Sequence, residues 1–113
     1  MKSERIYIDS CKTLTELDAI VHQVAYRRIS HEYGYIYPVD GGNISVAEYG
    51  KGLLSDEPDL PLSGYNFGID IQGSKRGELA EIIFRLFKEH NVGSLLWVKD
   101  ISGALYEVQR YDP

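Results

Sequence analysis

The sequence predicts a single α+β domain made of two β-α-β-β halves, with a mostly antiparallel sheet and both helices on one of its faces. The length of 113 residues is typical of one domain. The hydrophobic pattern follows the order strand, helix, strand, strand and then repeats that order. Glu16-Leu17 in the first predicted helix also matches Glu78-Leu79 in the second, with apolar residues following at the same spacing.

The repeated order favours an internal duplication, in which the two halves superpose. The domain would cover residues 1–113, with half 1 at about 4–49, an acidic loop at 50–64 and half 2 at about 65–111. The alternative is that amphipathic helices and hairpins resemble each other without common origin.

In the first half, Arg5–Asp9 alternates polar and apolar residues, which predicts a strand. Thr13 and Glu16 have the spacing of a capping box, and the apolar residues that follow predict a helix from about residue 14 to 28. Strands are predicted at Tyr33–Val39 and Asn43–Tyr49, joined by a turn that contains two glycines. Pro38 places its strand at an edge or beside a bulge, because proline lacks the N–H that a ladder needs.

The second half begins after a loop rich in Gly and Pro. A strand is predicted at Tyr65–Gln72, and the final two strands are predicted at Ser94–Lys99 and Leu105–Tyr111. Between them an amphipathic helix is predicted from its apolar residues, which are Leu79, Ile82, Ile83, Leu86 and Phe87. The sheet face opposite the helices then needs a cover, supplied by water, by the loop or by a partner.

Composition excludes several classes of protein. Hydrophobic residues make up 43% of the chain, enough for one core, and no apolar run approaches the roughly 20 residues of a membrane helix. The N-terminus shows no secretory signal, so a cytoplasmic location with no membrane partner is predicted. The single cysteine, Cys11, excludes an internal disulfide and a cysteine-based metal cluster.

Charge is concentrated in the middle of the chain. The net charge of −5 argues against nucleic-acid binding, which needs clustered positive charge. Between Arg28 and Lys75 the only basic residue is Lys51. The same stretch contains seven acidic residues, namely Glu32, Asp40, Glu48, Asp56, Glu57, Asp59 and Asp70. A local acidic field of this kind indicates a basic partner.

No motif specifies a reaction. The glycine-rich turn at 71–77 lacks the spacing of a phosphate-binding loop, so an ordinary capped turn is favoured. Asp9 and Asp70 end matching strands and could form a metal or acid–base site if those strands were neighbours, although aspartate is also a routine turn residue. No catalytic residue, metal ligand or cofactor is therefore assigned.

Two features predict a partner-binding surface. Tyr33, Tyr35 and Tyr37 fall at alternate positions, so they share one sheet face, either against a partner or against the protein's own helices. The loop tip 55–59 is acidic and stiffened by proline, and either leucines on both sides fix it to the core and present the acids rigidly, or it is a solvated surface loop. The predicted partner contacts are Tyr33, Tyr35, Tyr37, Glu48, Tyr49, Asp56, Glu57 and Asp59.

A small, acidic α+β domain with this tyrosine face and acidic loop resembles the immunity proteins of bacterial toxin systems. That resemblance implies a non-enzymatic protein that neutralises a basic partner, such as a toxin nuclease, by protein–protein contact. Two alternatives remain: a duplicated enzyme or ligand-binding domain with a site at Asp9 and Asp70 between the halves, and a homo-oligomer, such as a homodimer, that uses the tyrosine face as its own interface.

Overall fold

One sheet and two helices account for the regular structure of the computed structural model, which describes residues 3–56, 60–102 and 105–113. The strands are β1 (Ser3–Asp9), β2 (Ile29–His31), β3 (Gly34–Val39), β4 (Gly42–Glu48), β5 (Phe67–Gln72), β6 (Ser94–Ser102) and β7 (Leu105–Tyr111). The helices are α1 (Leu14–Val21) and α2 (Arg76–Glu89), and a single 3-10 turn spans Leu62–Gly64.

The sheet has the order β2-β3-β4-β5-β1-β6-β7, and every pair of neighbours is antiparallel. The first strand of each half therefore lies at the centre, where Ile6 of β1 pairs with Ile69 of β5. The predicted α+β class with a mostly antiparallel sheet is confirmed. Because β1 separates β5 from β6, the segment β5-α2-β6 is a split crossover, in which α2 passes over the inserted strand.

The main core lies between the sheet and both helices, as predicted. Alternate residues of the central strands, such as Ile6, Ile8 and Ile71, are fully buried against Leu17 of α1 and Ile83 of α2. Burial of this apolar surface is the principal stabilising contribution to the fold. Within the described residues, neither helix is long and apolar enough to cross a membrane.

Helix α1 begins where the sequence predicts and ends earlier. Glu16 N donates to Thr13 Oγ1 and Thr13 N donates to Glu16 Oε1, which completes the capping box. The predicted extension to residue 28 is wrong, because the helix ends at Val21 and Val24 is 38% exposed. Arg28 instead returns to form an ion pair with Asp18, whereas ten residues of continuous helix would place them about 15 Å apart.

The returning chain forms β2, which the sequence analysis missed. Ile29 pairs with Ile36 and His31 with Gly34, so β3 lies one strand in from the edge. Pro38 lies beyond this pairing and has no N–H to offer a longer β2. Pro38 is therefore at the edge of the sheet, as predicted, but β3 is an outer strand only along its second half.

The two halves do not superpose, so the predicted duplication is wrong. The β3-β4 hairpin places its second strand beside β5, whereas the β6-β7 hairpin places its first strand beside β1. Exchanging the halves therefore does not reproduce the strand order. The similarity between the halves reflects a shared pattern of apolar residues rather than a shared topology.

The buried face of α2 is rotated by about one residue from its predicted position. Ala80, Ile83, Phe84 and Phe87 are buried, at the spacing of one helical face. Ile82 is 41% exposed, which corrects the prediction that it belongs to the core.

The loop between β4 and β5 covers part of the opposite sheet face. Leu60 and Leu62 are buried there against Leu96 and Val98, with Leu54 partly buried beside them. Leucines therefore hold the loop on the sheet, as predicted. The cover lies over β1 and β6 and leaves part of β4 and β5 open on this face.

Neighbouring residues of α2 provide a test of this core. Ile83→Ala should lower the free energy of unfolding by about 2–5 kcal/mol, because the side chain is fully buried. Ile82→Ala is the matched control and should change it by less than about 0.5 kcal/mol. Urea denaturation measures both values, and equal losses would contradict the assigned helix face.

Candidate binding groove

A groove of about 440 Å³ lies at the end of the sheet where β4 finishes and β3 begins. It is lined by four of the predicted partner contacts, which are Tyr33, Tyr35, Glu48 and Tyr49. The other lining residues are Leu14, Ser30, His31, Glu32, Gly34 and Gly50. Most of the predicted contacts that the structure describes therefore belong to one concave surface.

The groove is aromatic and acidic at its rim. Tyr33 lies in the turn between β2 and β3 and is 63% exposed. Glu32 and Glu48 are also exposed, and the backbone N–H of Glu48 donates to Tyr33 O at 3.0 Å. That hydrogen bond fixes the β2-β3 turn to the end of β4, so both carboxylates stand on the same rim.

A buried carboxylate supports the groove from behind. Asp18 is 5% exposed and accepts hydrogen bonds from Tyr37 Oη and Arg28 Nη1, with His22 Nε2 at 3.5 Å from Oδ1. The Arg28 guanidinium lies 4.7 Å from the centroid of the Tyr35 ring. Asp18 thus neutralises the charge of Arg28. Arg28 in turn stacks on the Tyr35 ring and holds that ring at the groove.

Tyr37 belongs to this support and not to the surface. Its side chain is fully buried, and burial together with the hydrogen bond to Asp18 raises the pKa of its hydroxyl. The prediction that Tyr37 contacts a partner is therefore corrected. Tyr35 and Tyr37 do share the face that packs on the helices, whereas Tyr33 precedes the strand.

Tyr49 connects the groove with the opposite sheet face. It follows β4 and lies against Gly68, where an added Cβ would approach Tyr49 Cε2 to 2.9 Å. Burial, with Tyr7 and Asp70 nearby, raises the pKa of the Tyr49 hydroxyl. A bare glycine on β5 is therefore needed for the tyrosine to occupy this position.

Of the three predicted loop acids, the structure describes Asp56, which does not line the groove. Asp56 is exposed, and the Ser63 N–H donates to its Oδ1 at 2.8 Å, which lowers the pKa of the Asp56 carboxyl. Glu57 and Asp59 lie outside the described residues. Lys51 Nζ, 2.8 Å from Asp9 Oδ1, ties the start of the loop to the end of β1.

Asp9 and Asp70 do not form a shared site. Their strands are neighbours but antiparallel, and Asp70 pairs with Arg5, four residues from Asp9 and roughly 13 Å away along β1. Asp9 is engaged by Lys51 instead. Within the described ranges, no group of three or more His, Cys, Asp or Glu side chains is placed to hold a metal ion.

Sequence reasoning missed the residues that β2 and its turn contribute to the groove. Ser30, His31 and Glu32 lie there because the chain turns back after α1, and Tyr33 N donates to His31 Nδ1 at 3.2 Å. The sequence feature that could have indicated this turn is the pair of opposite charges Asp18 and Arg28, ten residues apart. The two side chains can pair only if the helix ends before Arg28.

Removing the carboxylate of Asp18 should weaken this end of the fold. Asp18→Ala leaves the buried Tyr37 hydroxyl without its acceptor, and we expect the free energy of unfolding to fall by about 1–3 kcal/mol. Amide hydrogen exchange in β2 should become faster. Asp18→Asn keeps an acceptor and should lose less, so equal losses in the two variants would contradict this role.

The groove presents exposed tyrosine and carboxylate on a surface held by backbone and buried side-chain hydrogen bonds. Aromatic side chains of this kind are enriched where proteins contact one another. No family model, curated protein or solved structure matches this chain.

Proposed function

We propose that this protein is a non-enzymatic binding protein of the immunity type, which neutralises a basic protein partner through the groove. The observation that carries the proposal is the convergence of Tyr33, Tyr35, Glu48 and Tyr49 on one concave surface. These residues come from separate segments of the chain, and folding brings them together beside Glu32.

The aromatic part of the groove provides contact area at low entropic cost. Tyrosine has few rotatable bonds and a hydroxyl that bonds polar groups of a partner. Tyr33 is largely exposed, so its ring has apolar surface left to bury. Tyr35 is held by Arg28 and by its own strand, and such preorganisation reduces what is lost on binding.

The acidic part of the groove favours a partner with lysine or arginine side chains. Glu32 and Glu48 are exposed, and the positive charge of Arg28 behind them is neutralised by Asp18. Complementary charge accelerates association and disfavours acidic partners. The loop acids Asp56, Glu57 and Asp59 remain a predicted second region of contact.

The charge of the groove is tested with a partner purified from the native source by affinity capture and then identified. Glu32→Gln with Glu48→Gln should weaken binding by about 1 kcal/mol, roughly fivefold, mainly through slower association. Added salt should reduce the difference between the variant and the unmodified protein.

The matched control changes the same net charge on α2, through Glu78→Gln with Glu89→Gln, both of which are exposed. This variant should associate at close to the unmodified rate. If both pairs slow association equally, the effect belongs to overall charge and the groove is not the interface.

The aromatic contact is tested independently of charge. Tyr33→Ala should weaken binding by about 2 kcal/mol, the range of an interface hot spot, while the melting temperature stays nearly unchanged because the ring is exposed. Tyr26→Ala is the control, since Tyr26 is 88% exposed and does not line the groove. Equal affinity of the two variants, measured by titration calorimetry, would contradict the proposal.

A further inference from the structure

A small pocket of about 90 Å³ lies on the sheet face opposite the helices. It sits on β4, β5 and β1, in the part of this face that the leucines of the loop leave open. Its polar side chains are those of Arg5, Tyr7, Ser45, Tyr49 and Asp70. Gly68, Ala47 and Ile69 complete the lining.

Asp70 contributes an acceptor without a donor. Its Oδ1 is buried and has no hydrogen-bond partner among the described residues. A buried carboxylate oxygen in this condition is costly, and such atoms are rare in folded proteins. The pocket beside it is the place from which a donor would approach.

Arg5 does not supply that donor, although it is the cross-strand neighbour of Asp70. Its Nη1 donates to Tyr7 Oη at 3.3 Å, and no ion pair joins Arg5 to Asp70 in the described part of the chain. Ser45, the neighbour on the other side, has a hydroxyl that also lines the pocket.

The walls of the pocket are aromatic. Tyr49 lies against the bare backbone of Gly68, and Tyr7 packs beside Tyr65 with ring centroids 6.3 Å apart. The Tyr49 ring is neutral at physiological pH, because the ordinary pKa of a tyrosine hydroxyl is about 10 and burial raises the pKa of this one. A neutral aromatic ring beside a carboxylate is the environment that attracts an organic cation.

We propose that this pocket binds an alkylammonium group, whose N–H donors bond Asp70 Oδ1 and the hydroxyl oxygens of Ser45 and Tyr49. An ammonium carries three donors and no acceptor, which matches the unpaired Asp70 Oδ1 and the hydroxyls of Ser45 and Tyr49. The Arg5 guanidinium also lines the pocket and donates to Tyr7 Oη. The volume suits an ammonium head and a short aliphatic chain, and is well below the roughly 300–1,000 Å³ of drug-sized ligand sites.

Two sources present this chemistry, a lysine side chain of another protein and a free alkylamine. Either would enter with its ammonium towards Asp70 and its methylenes along the tyrosine rings. The site is separate from the groove, although Tyr49 lines both, so it goes beyond the proposed function and does not rest on it.

The probe is n-butylammonium chloride, titrated into ¹⁵N-labelled protein, with sodium chloride at the same ionic strength as the control. Saturable shifts are expected at the amides of Ser45, Gly68 and Asp70, and Asp70→Asn should lower the affinity by at least about tenfold. Shifts that do not saturate, or the same titration curve in Asp70→Asn, would overturn the proposal.

Stability measurements keep the result independent of folding defects. Asp70→Asn removes the charge of a half-buried carboxylate whose Oδ1 has no donor, so its melting temperature should rise by about 4 °C as its binding is lost. Tyr49→Phe retains the ring and removes one acceptor, so a smaller loss of affinity is expected. A lower melting temperature in Asp70→Asn would show that the carboxylate is already paired in solution and would overturn the proposal.

A second arm distinguishes the two sources with an N-acetylated, C-amidated Gly-Lys-Gly peptide. Tighter binding of the peptide than of butylammonium identifies a lysine side chain as the ligand, and weaker binding identifies a free amine. Glu32→Gln with Glu48→Gln should leave both titrations unchanged, so failure of the groove proposal and failure of the pocket proposal are separable outcomes.

Discussion

The buried carboxylate of Asp18 determines how the first half of this chain is arranged. It accepts from Tyr37 in the core and pairs with Arg28, and both contacts require that the chain leave α1 and turn back. An unpaired carboxylate at this depth would be strongly destabilising, so the ion pair and the early end of the helix depend on each other. The strand β2, its turn and the acidic rim of the groove all follow from that return.

The two faces of the sheet differ in composition and in how they are covered. The helix-bearing face is mostly apolar, with Glu4 of β1 buried as the acceptor of the Trp97 indole N–H, and it is closed by α1 and α2. The other face is covered in part by a loop with four leucines, of which Leu60 and Leu62 provide the buried contact. Because this cover is short, the polar row of Ser45, Asp70 and Arg5 lies beside it and keeps access from solvent.

Local patterns predicted much of the fold. The capping box at Thr13 and Glu16 and the hairpin turn at Asp40-Gly41 depend on neighbouring residues, and both formed as expected. The end of α1 depends on a contact between residues ten apart, which helical periodicity does not contain. The predicted buried face of α2 was wrong by one residue. Leu79, Ile82 and Ile83 are all apolar, and helical periodicity alone does not determine which of them is buried.

The candidate site was predictable to a lesser degree, for a related reason. Tyr33, Tyr35, Glu48 and Tyr49 were identifiable as surface chemistry, but their meeting in one groove depends on strand order. The alternation of residues along the strand correctly predicted that Tyr37 shares a face with Tyr35. It could not predict that the helices cover this face. Likewise, antiparallel pairing of β1 and β5 separates Asp9 from Asp70, and no local feature of either strand fixes that orientation.

The two outer strands of the sheet differ in how readily another strand could pair with them. β2 has three residues, and proline stops it from lengthening along β3, so it offers little template for another strand. β7 has seven residues and is the last strand on the other side. Backbone groups at a long outer strand recruit further strands, so any polymerisation of this sheet would start at β7. Two copies joined there would each present the three residues of β2 and the proline-bearing half of β3 at the free end, a poor template for adding a further copy.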